Sequence, residues 1–95
     1  MSYRIIIDRG AGREMDKLPK DVQRRLWEAI DSLADEPRPP RVSRMEGADA
    51  YRIRVGAYRI VYSIQDQILL VLIVKVAHRK DIYKAMETVK RRLRY

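Results

Sequence analysis

The 95-residue sequence predicts an α+β fold: a small, antiparallel-rich four-stranded sheet with an N-terminal helical hairpin packed on it and a C-terminal helix, in the order β-α-α-β-β-β-α. Three observations predict it. A β-branched segment around Ile5, Ile6 and Ile7 is followed by apolar residues at helical spacing as far as Leu33. The stretch YRIRVGAYRIVY, residues 51 to 62, reads as two strands joined by Gly-Ala. Beyond it, an apolar run from Ile68 to Val76 gives way to a second helical pattern. A chain of this length is one domain, 1 to 95, burying roughly 60 to 65% of the surface its unfolded state exposes.

Each element has its own justification. Tyr3 to Asp8 is short and β-branched, which suits a first strand, and Gly10 and Gly12 are expected to break it. Ala11, Met15 and Leu18 then recur at helical spacing. After Pro19, a longer helix carries Val22, Leu26, Ala29, Ile30 and Leu33 on one stripe with charged residues opposite. The two helices, joined near Pro19, form an antiparallel hairpin on one side of the sheet. Trp27 borders the stripe and reads as core or rim. Residues 36 to 50, with Pro37, Pro39, Pro40 and Gly47, read as a connecting loop.

In the second half, glycine at the first of two central positions suits a type II′ turn. That register sets Val55 against Tyr58, Arg54 against Arg59, Ile53 against Ile60 and Arg52 against Val61. The run from Ile68 to Val76 is apolar on both faces until Lys75, as a central strand is. Asp81 to Arg94 returns to helical spacing through Ile82, Met86, Val89 and Leu93.

Composition narrows the function. With no cysteine, the chain has no disulfide framework and no thiolate metal site, and a reducing compartment fits. No apolar run is long enough to cross a membrane and the N-terminus lacks a signal-peptide core, so a cytoplasmic location without membrane contact is the expectation. Charge is the stronger signal. Residues 1 to 50 hold ten Lys/Arg against ten Asp/Glu, whereas residues 51 to 95 hold eleven against three, so the whole net charge of +8 lies in the second half. A neutral half followed by a basic one points to an electropositive surface for a polyanion or an acidic protein segment.

The hairpin concentrates that charge. In the predicted register Arg52, Arg54 and Arg59 share one sheet face, and like charges facing each other across strands cost stability unless an anion offsets them. Guanidinium groups offer forked donors to phosphate and keep their charge in any surrounding. Near the end of the last strand, VAHRKDIY, residues 76 to 83, adds the single histidine His78, the fixed cation Arg79, and Tyr83 four residues later. Imidazole is the one side chain that ordinarily titrates near neutrality.

The order of elements, the hairpin YRIRVGAYRIVY and the later VAHRKDIY resemble the RelE/ParE superfamily of toxins, most closely the RelE branch. The resemblance covers nearly the whole chain. It implies the toxin of a type II toxin–antitoxin system, which cleaves messenger RNA in the ribosomal A site and is blocked by a cognate antitoxin. Its reaction is attack of a ribose 2′-hydroxyl on the adjacent phosphate, with neither metal nor other cofactor. Carried over by position, Arg52 and Arg54 are phosphate-binding, and Arg59, Arg79 and Tyr83 are catalytic. His78 joins them here as a proton carrier, with Tyr95 at the terminus a second candidate.

The chain departs from well-studied relatives in carrying arginine, rather than lysine, at 52 and 54. Arginine stabilises charge but does not serve as a base. Proton transfer therefore falls to His78, to Tyr83 or to groups of the ribosome. Two other readings stay open: a ParE-like inhibitor of DNA gyrase, and a relative that only binds RNA or its antitoxin.

Overall fold

A computed structural model describes residues 2–93. The first strand, β1 (Arg4–Ile7), leads directly into α1 (Arg9–Asp16). The strand ends before Gly10 and Gly12, and the helix starts at Arg9, ahead of the Ala11 expected, so it takes in both glycines. Its start is fixed by Asp8, whose carboxylate accepts from the backbone N–H groups of Gly10 at 2.8 Å and Ala11 at 3.4 Å. Those are donors that the first helical turn leaves unpaired. A short link through Pro19 leads to α2 (Lys20–Ser32). Leu26, Ile30 and Leu33 are fully buried on its stripe, and Trp27 lies at the rim, 42% exposed.

The sheet has five strands rather than four. The addition, β2 (Ser43–Arg44), is a two-residue edge strand within the expected loop, paired to the start of β3 (Tyr51–Val55). Two polar residues carry no periodicity, so only the partner strand's unpaired backbone defines this one. β4 (Tyr58–Gln65) completes the hairpin in the expected register, Arg54 opposite Arg59 included. Gly56 has φ +59°, the left-handed geometry that the first central residue of a type II′ turn needs.

A 3₁₀ turn (Asp66–Ile68) takes up the beginning of the apolar run, and β5 follows it (Leu70–His78). The five residues Leu70 to Val74 are all buried, because β5 is central, with order β1-β5-β4-β3-β2. β1 and β5 are parallel; every other pair is antiparallel. Alternate residues of β4 enter separate cores, Ile60 and Tyr62 the one and Val61 the other, and the β4–β5 register shifts at Val61/Tyr62, where Val74 of β5 is the extra residue.

The C-terminal segment also differs from the single helix expected over 81 to 94. Ile82–Ala85 forms a 3₁₀ turn, and α3 is confined to Met86–Arg92. The α1–α2 hairpin covers one sheet face, closing a core around Leu26, Ile30, Ile60, Tyr62 and Ile73. On the other face, Ile82 and Val89 pack on Val61, Leu72 and Val74.

One edge of β5 is completed by side chains. β1 pairs with β5 only as far as Ile73. Beyond it, the Glu14 carboxylate accepts from the Val76 N–H at 3.1 Å, and the Arg92 guanidinium donates to the Val74 carbonyl at 3.0 Å. Glu14 also pairs with Lys75 and, at 3.1 Å, with Arg92, while Arg92 reaches Asp8 at 3.4 Å. Helices from both faces thereby supply the hydrogen bonds of an absent strand, satisfying backbone groups that burial would otherwise strand. Gly10 makes room for this: a Cβ there would lie 2.3 Å from an Arg92 nitrogen.

Candidate functional site

On β3, side chains alternate between faces, so Tyr51, Ile53 and Val55 pack toward the helical hairpin while Arg52 and Arg54 project the other way. Arg59 on β4 lies directly across from Arg54 and shares its face. The edge strand brings Ser43 opposite Arg52, and the 3₁₀ turn before α3 lays Tyr83 over the same surface. Together with Arg41 these residues line an open cavity of about 390 Å³.

Contacts within the cavity hold it in shape. Arg52 donates to the Tyr83 hydroxyl at 2.8 Å and to Ser43 Oγ at 3.4 Å, with its guanidinium carbon 5.4 Å from the Tyr83 ring centroid. A single Arg59 nitrogen donates to the carbonyls of Tyr58 at 2.9 Å and Gly56 at 3.1 Å, which leaves its remaining N–H groups free for a ligand. Burial first, and then the nearby Arg54, Arg52 and Arg79, hold the Arg59 pKa below the ordinary arginine value, with Tyr83 opposing. Arginine starts so far above neutrality that the charge is retained.

The contrast with the rest of the surface is informative. Elsewhere, Arg38 pairs with Asp66 at 2.9 Å, Arg44 with Asp49 at 2.8 Å, and Lys75 and Arg92 with Glu14. Among the described residues, Arg41, Arg52, Arg54 and Arg59 form no ion pair, and no carboxylate lines their cavity. Glu46 borders an adjacent hollow that also touches Arg52 and Tyr83, without pairing to either. Four fixed cations around one concave space, none of them in an ion pair among the described residues, present forked donors of the kind that suit an anion.

Not every residue singled out in the sequence converges here. Arg52, Arg54, Arg59 and Tyr83 do. His78 does not: on β5 it stands opposite Tyr58, its ring edge-on to the Tyr58 ring at 5.5 Å. It borders a hollow with Glu14 and Lys75, apart from the arginines, and its Nδ1 accepts from the Lys80 N–H at 3.2 Å. The pleat decides this, since Tyr58 and Ile60 point toward the helical hairpin while Arg59 points away. Arg79 is exposed and not part of the lining; its N–H extends the hairpin by donating to the Ala57 carbonyl at 2.8 Å, and its charge reaches Arg59. Tyr95 lies outside the described residues. Arg41 and Ser43 were not legible as site residues, because the pairing of β2 brings them in. Among the described residues, no cluster of three or more His, Cys, Asp or Glu side chains is arranged to hold a metal ion.

Comparison with known proteins shows the family. Residues 5–83 match the family described as the ParE toxin of the type II toxin–antitoxin system parDE. The chain is 36% identical to Toxin RelG of Mycobacterium tuberculosis over 86 residues, covering 88% of this chain and 99% of that protein. It is 29% identical to the mRNA interferase toxin RelE of Escherichia coli over 94 residues, covering 96% and 98%. Among solved structures, the archaeal RelE–RelB complex from Pyrococcus horikoshii superposes with TM-score 0.75 at 35% identity, covering 83% of this chain and 97% of that one. A free Escherichia coli RelE variant superposes with TM-score 0.78 at 28% identity, covering 96% and 98%. The chain belongs to the RelE/ParE superfamily and is a toxin of the type II toxin–antitoxin class.

Proposed function

We propose that this toxin is an endoribonuclease that cleaves messenger RNA in the ribosomal A site, and that the carboxylate-free arginine cavity binds the scissile phosphate. The observation that carries the reading is the convergence of Arg52, Arg54, Arg59 and Tyr83 on one cavity with no acidic group in its lining. In the reaction, the ribose 2′-oxygen bonds to phosphorus as the bond to the 5′-oxygen breaks. The 2′-hydroxyl loses its proton and the departing oxygen gains one, leaving a cyclic phosphate and a free 5′-hydroxyl. Charge builds on the non-bridging oxygens, where Arg54 and the free N–H groups of Arg59 stabilise it.

Of the cavity groups, only the hydroxyls of Tyr83 and Ser43 exchange protons, since the arginines stay protonated. Arg52 already donates to the Tyr83 oxygen, so the phenolic proton is free to pass to the departing oxygen. The ribosome takes up the 2′ proton and orients the message, which is catalysis by positioning. Arg79 adds positive potential at the cavity's margin. The partner that restrains the toxin is a cognate antitoxin; solved relatives include RelE–RelB complexes from Pyrococcus horikoshii and Mycobacterium tuberculosis.

The test is to incubate the protein with ribosomes stalled on a defined message and map new RNA ends. Wild type is expected to cut within the A-site codon, with Arg59→Ala slower by about 100- to 1,000-fold and Tyr83→Phe by about 100-fold. A wild type that makes no cuts while a RelE relative is active in the same assay rejects the nuclease reading. The ParE description of the matching family then makes gyrase the next target.

A further inference from the structure

Arg41 and Arg54 belong to two cavities at once. Around the free edge of β3, beyond the two residues that β2 pairs, runs a second groove of about 760 Å³. Its far wall is α2, where Arg25, Ala29 and Ser32 share one stripe spanning roughly 10 Å. Arg25 reaches the hairpin tip, where a Cβ on Gly56 would lie 3.6 Å from its guanidinium.

Chemical character changes along the groove. Arg41 and Arg54 stand on the border with the arginine cavity and Arg25 stands by the turn, while Ala29, Ile53 and Val55 provide an apolar floor. Asp35 and Glu36 follow the C-terminal end of α2, and neither pairs with those arginines among the described residues. Cation, apolar surface and acceptor are what a nucleotide presents in complement: phosphodiester, base face and amino-bearing base edge. The volume is ample for one nucleotide.

We propose that this groove is a subsite for the nucleotide next to the reacting phosphate. Its own phosphodiester sits among Arg25, Arg41 and Arg54, its base lies over Ile53 and Val55, and Asp35 and Glu36 accept from exocyclic amino groups. The strand thus engages two successive phosphates, with Arg41 and Arg54 between them. The assignment rests on the phosphate reading of the neighbouring arginine cavity. It also gives the site a means of favouring adenine or cytosine over uracil, which presents no amino group.

The experiment uses 2′-O-methyl oligonucleotides, which cannot be cleaved, binding the full-length protein: a dinucleotide with one phosphodiester and trinucleotides with two. Wild type is expected to bind an adenine-bearing trinucleotide about tenfold tighter than the dinucleotide. Arg25→Ala removes that gain, lowers the salt dependence of log K by about 0.7, and leaves dinucleotide binding unchanged. Arg25 has no side-chain hydrogen bond or ion pair among the described residues, so the variant keeps its fold. Glu36→Ala together with Asp35→Ala, which takes away both acceptors, removes the preference for adenine over uracil. If Arg25→Ala leaves trinucleotide affinity and salt slope untouched while Arg59→Ala abolishes binding of both probes, the groove is not a nucleotide subsite and the arginine cavity stands. If Arg59→Ala alters neither probe, the phosphate reading of the cavity falls, and this subsite with it.

Discussion

Replacing Arg54 with glutamine is expected to make the protein more stable and less able to bind phosphate. Arg54 faces Arg59 directly across the hairpin, with Arg52 and Arg41 around the same cavity and no carboxylate between them. At ~7 Å separation, two unit charges repel by about 0.6 kcal/mol in water and about 2.4 kcal/mol at an effective dielectric of 20. Arg54 is exposed, which places the effect near the lower value, in line with the roughly 0.2 to 1 kcal/mol that cross-strand pairs contribute. Glutamine keeps the length and hydrogen-bonding capacity while removing the charge. A gain of about 0.5 to 1 kcal/mol corresponds to about 2 to 8 °C in Tm for a domain of this size. The assay is urea and thermal unfolding of both proteins at ~0.05 M and ~1 M salt, since a ~3 Å Debye length at the higher concentration screens the repulsion away. Oligophosphate at ~100 times its Kd should then stabilise wild type by about 2.7 kcal/mol and the variant by clearly less. A variant no more stable than wild type at low salt, or a difference that survives high salt, refutes the argument that these cations repel.

Other outcomes follow from the same structure. The Asp66 pKa is lowered to about 2, chiefly by its hydrogen bond from Arg38 and then by that from Tyr3. A depressed carboxyl contributes stability above its unfolded value and loses it as pH falls through the folded one. Wild type should therefore lose more stability between pH ~4 and ~2 than Asp66→Asn, read from urea midpoints. Gly10→Ala forces the Arg92 guanidinium from its place against Asp8, Glu14 and the Val74 carbonyl. Gly10→Ala and Arg92→Ala should each cost about 1 to 3 kcal/mol, and the double variant should cost much less than their sum in a mutant cycle. Leu26→Ala, in the core between α2 and the sheet, should cost about 2 to 5 kcal/mol in urea unfolding.

The hairpin was legible in the sequence because its signals are local. Residues two apart share a face, Gly56 supplies the backbone geometry of the turn, and together they set Arg54 against Arg59 before any contact is known. The apolar stripe of α2 and the two-sided burial of β5 were legible for the same reason, since periodicity of 3.6 or unbroken apolarity reports which faces are covered. The helix begins at Arg9 rather than Ala11 because propensity is a weak prior; the Asp8 cap and the space that Arg92 occupies outweigh the cost of Gly10.

By itself, the sequence determined the α+β class, the hairpin register and the presence of a basic second half, all consequences of spacing along one chain. Only the tertiary structure decided what joins the three hairpin arginines. It carried Arg41 and Ser43 to the cavity through two residues of edge pairing, laid Tyr83 against Arg52 across 31 positions of sequence, and turned His78 to the opposite face. Local spacing states which side of its own element a residue occupies. Where that side points is settled by how β2, the sheet and the 82–85 turn pack against one another, and that depends on contacts between residues far apart in the chain.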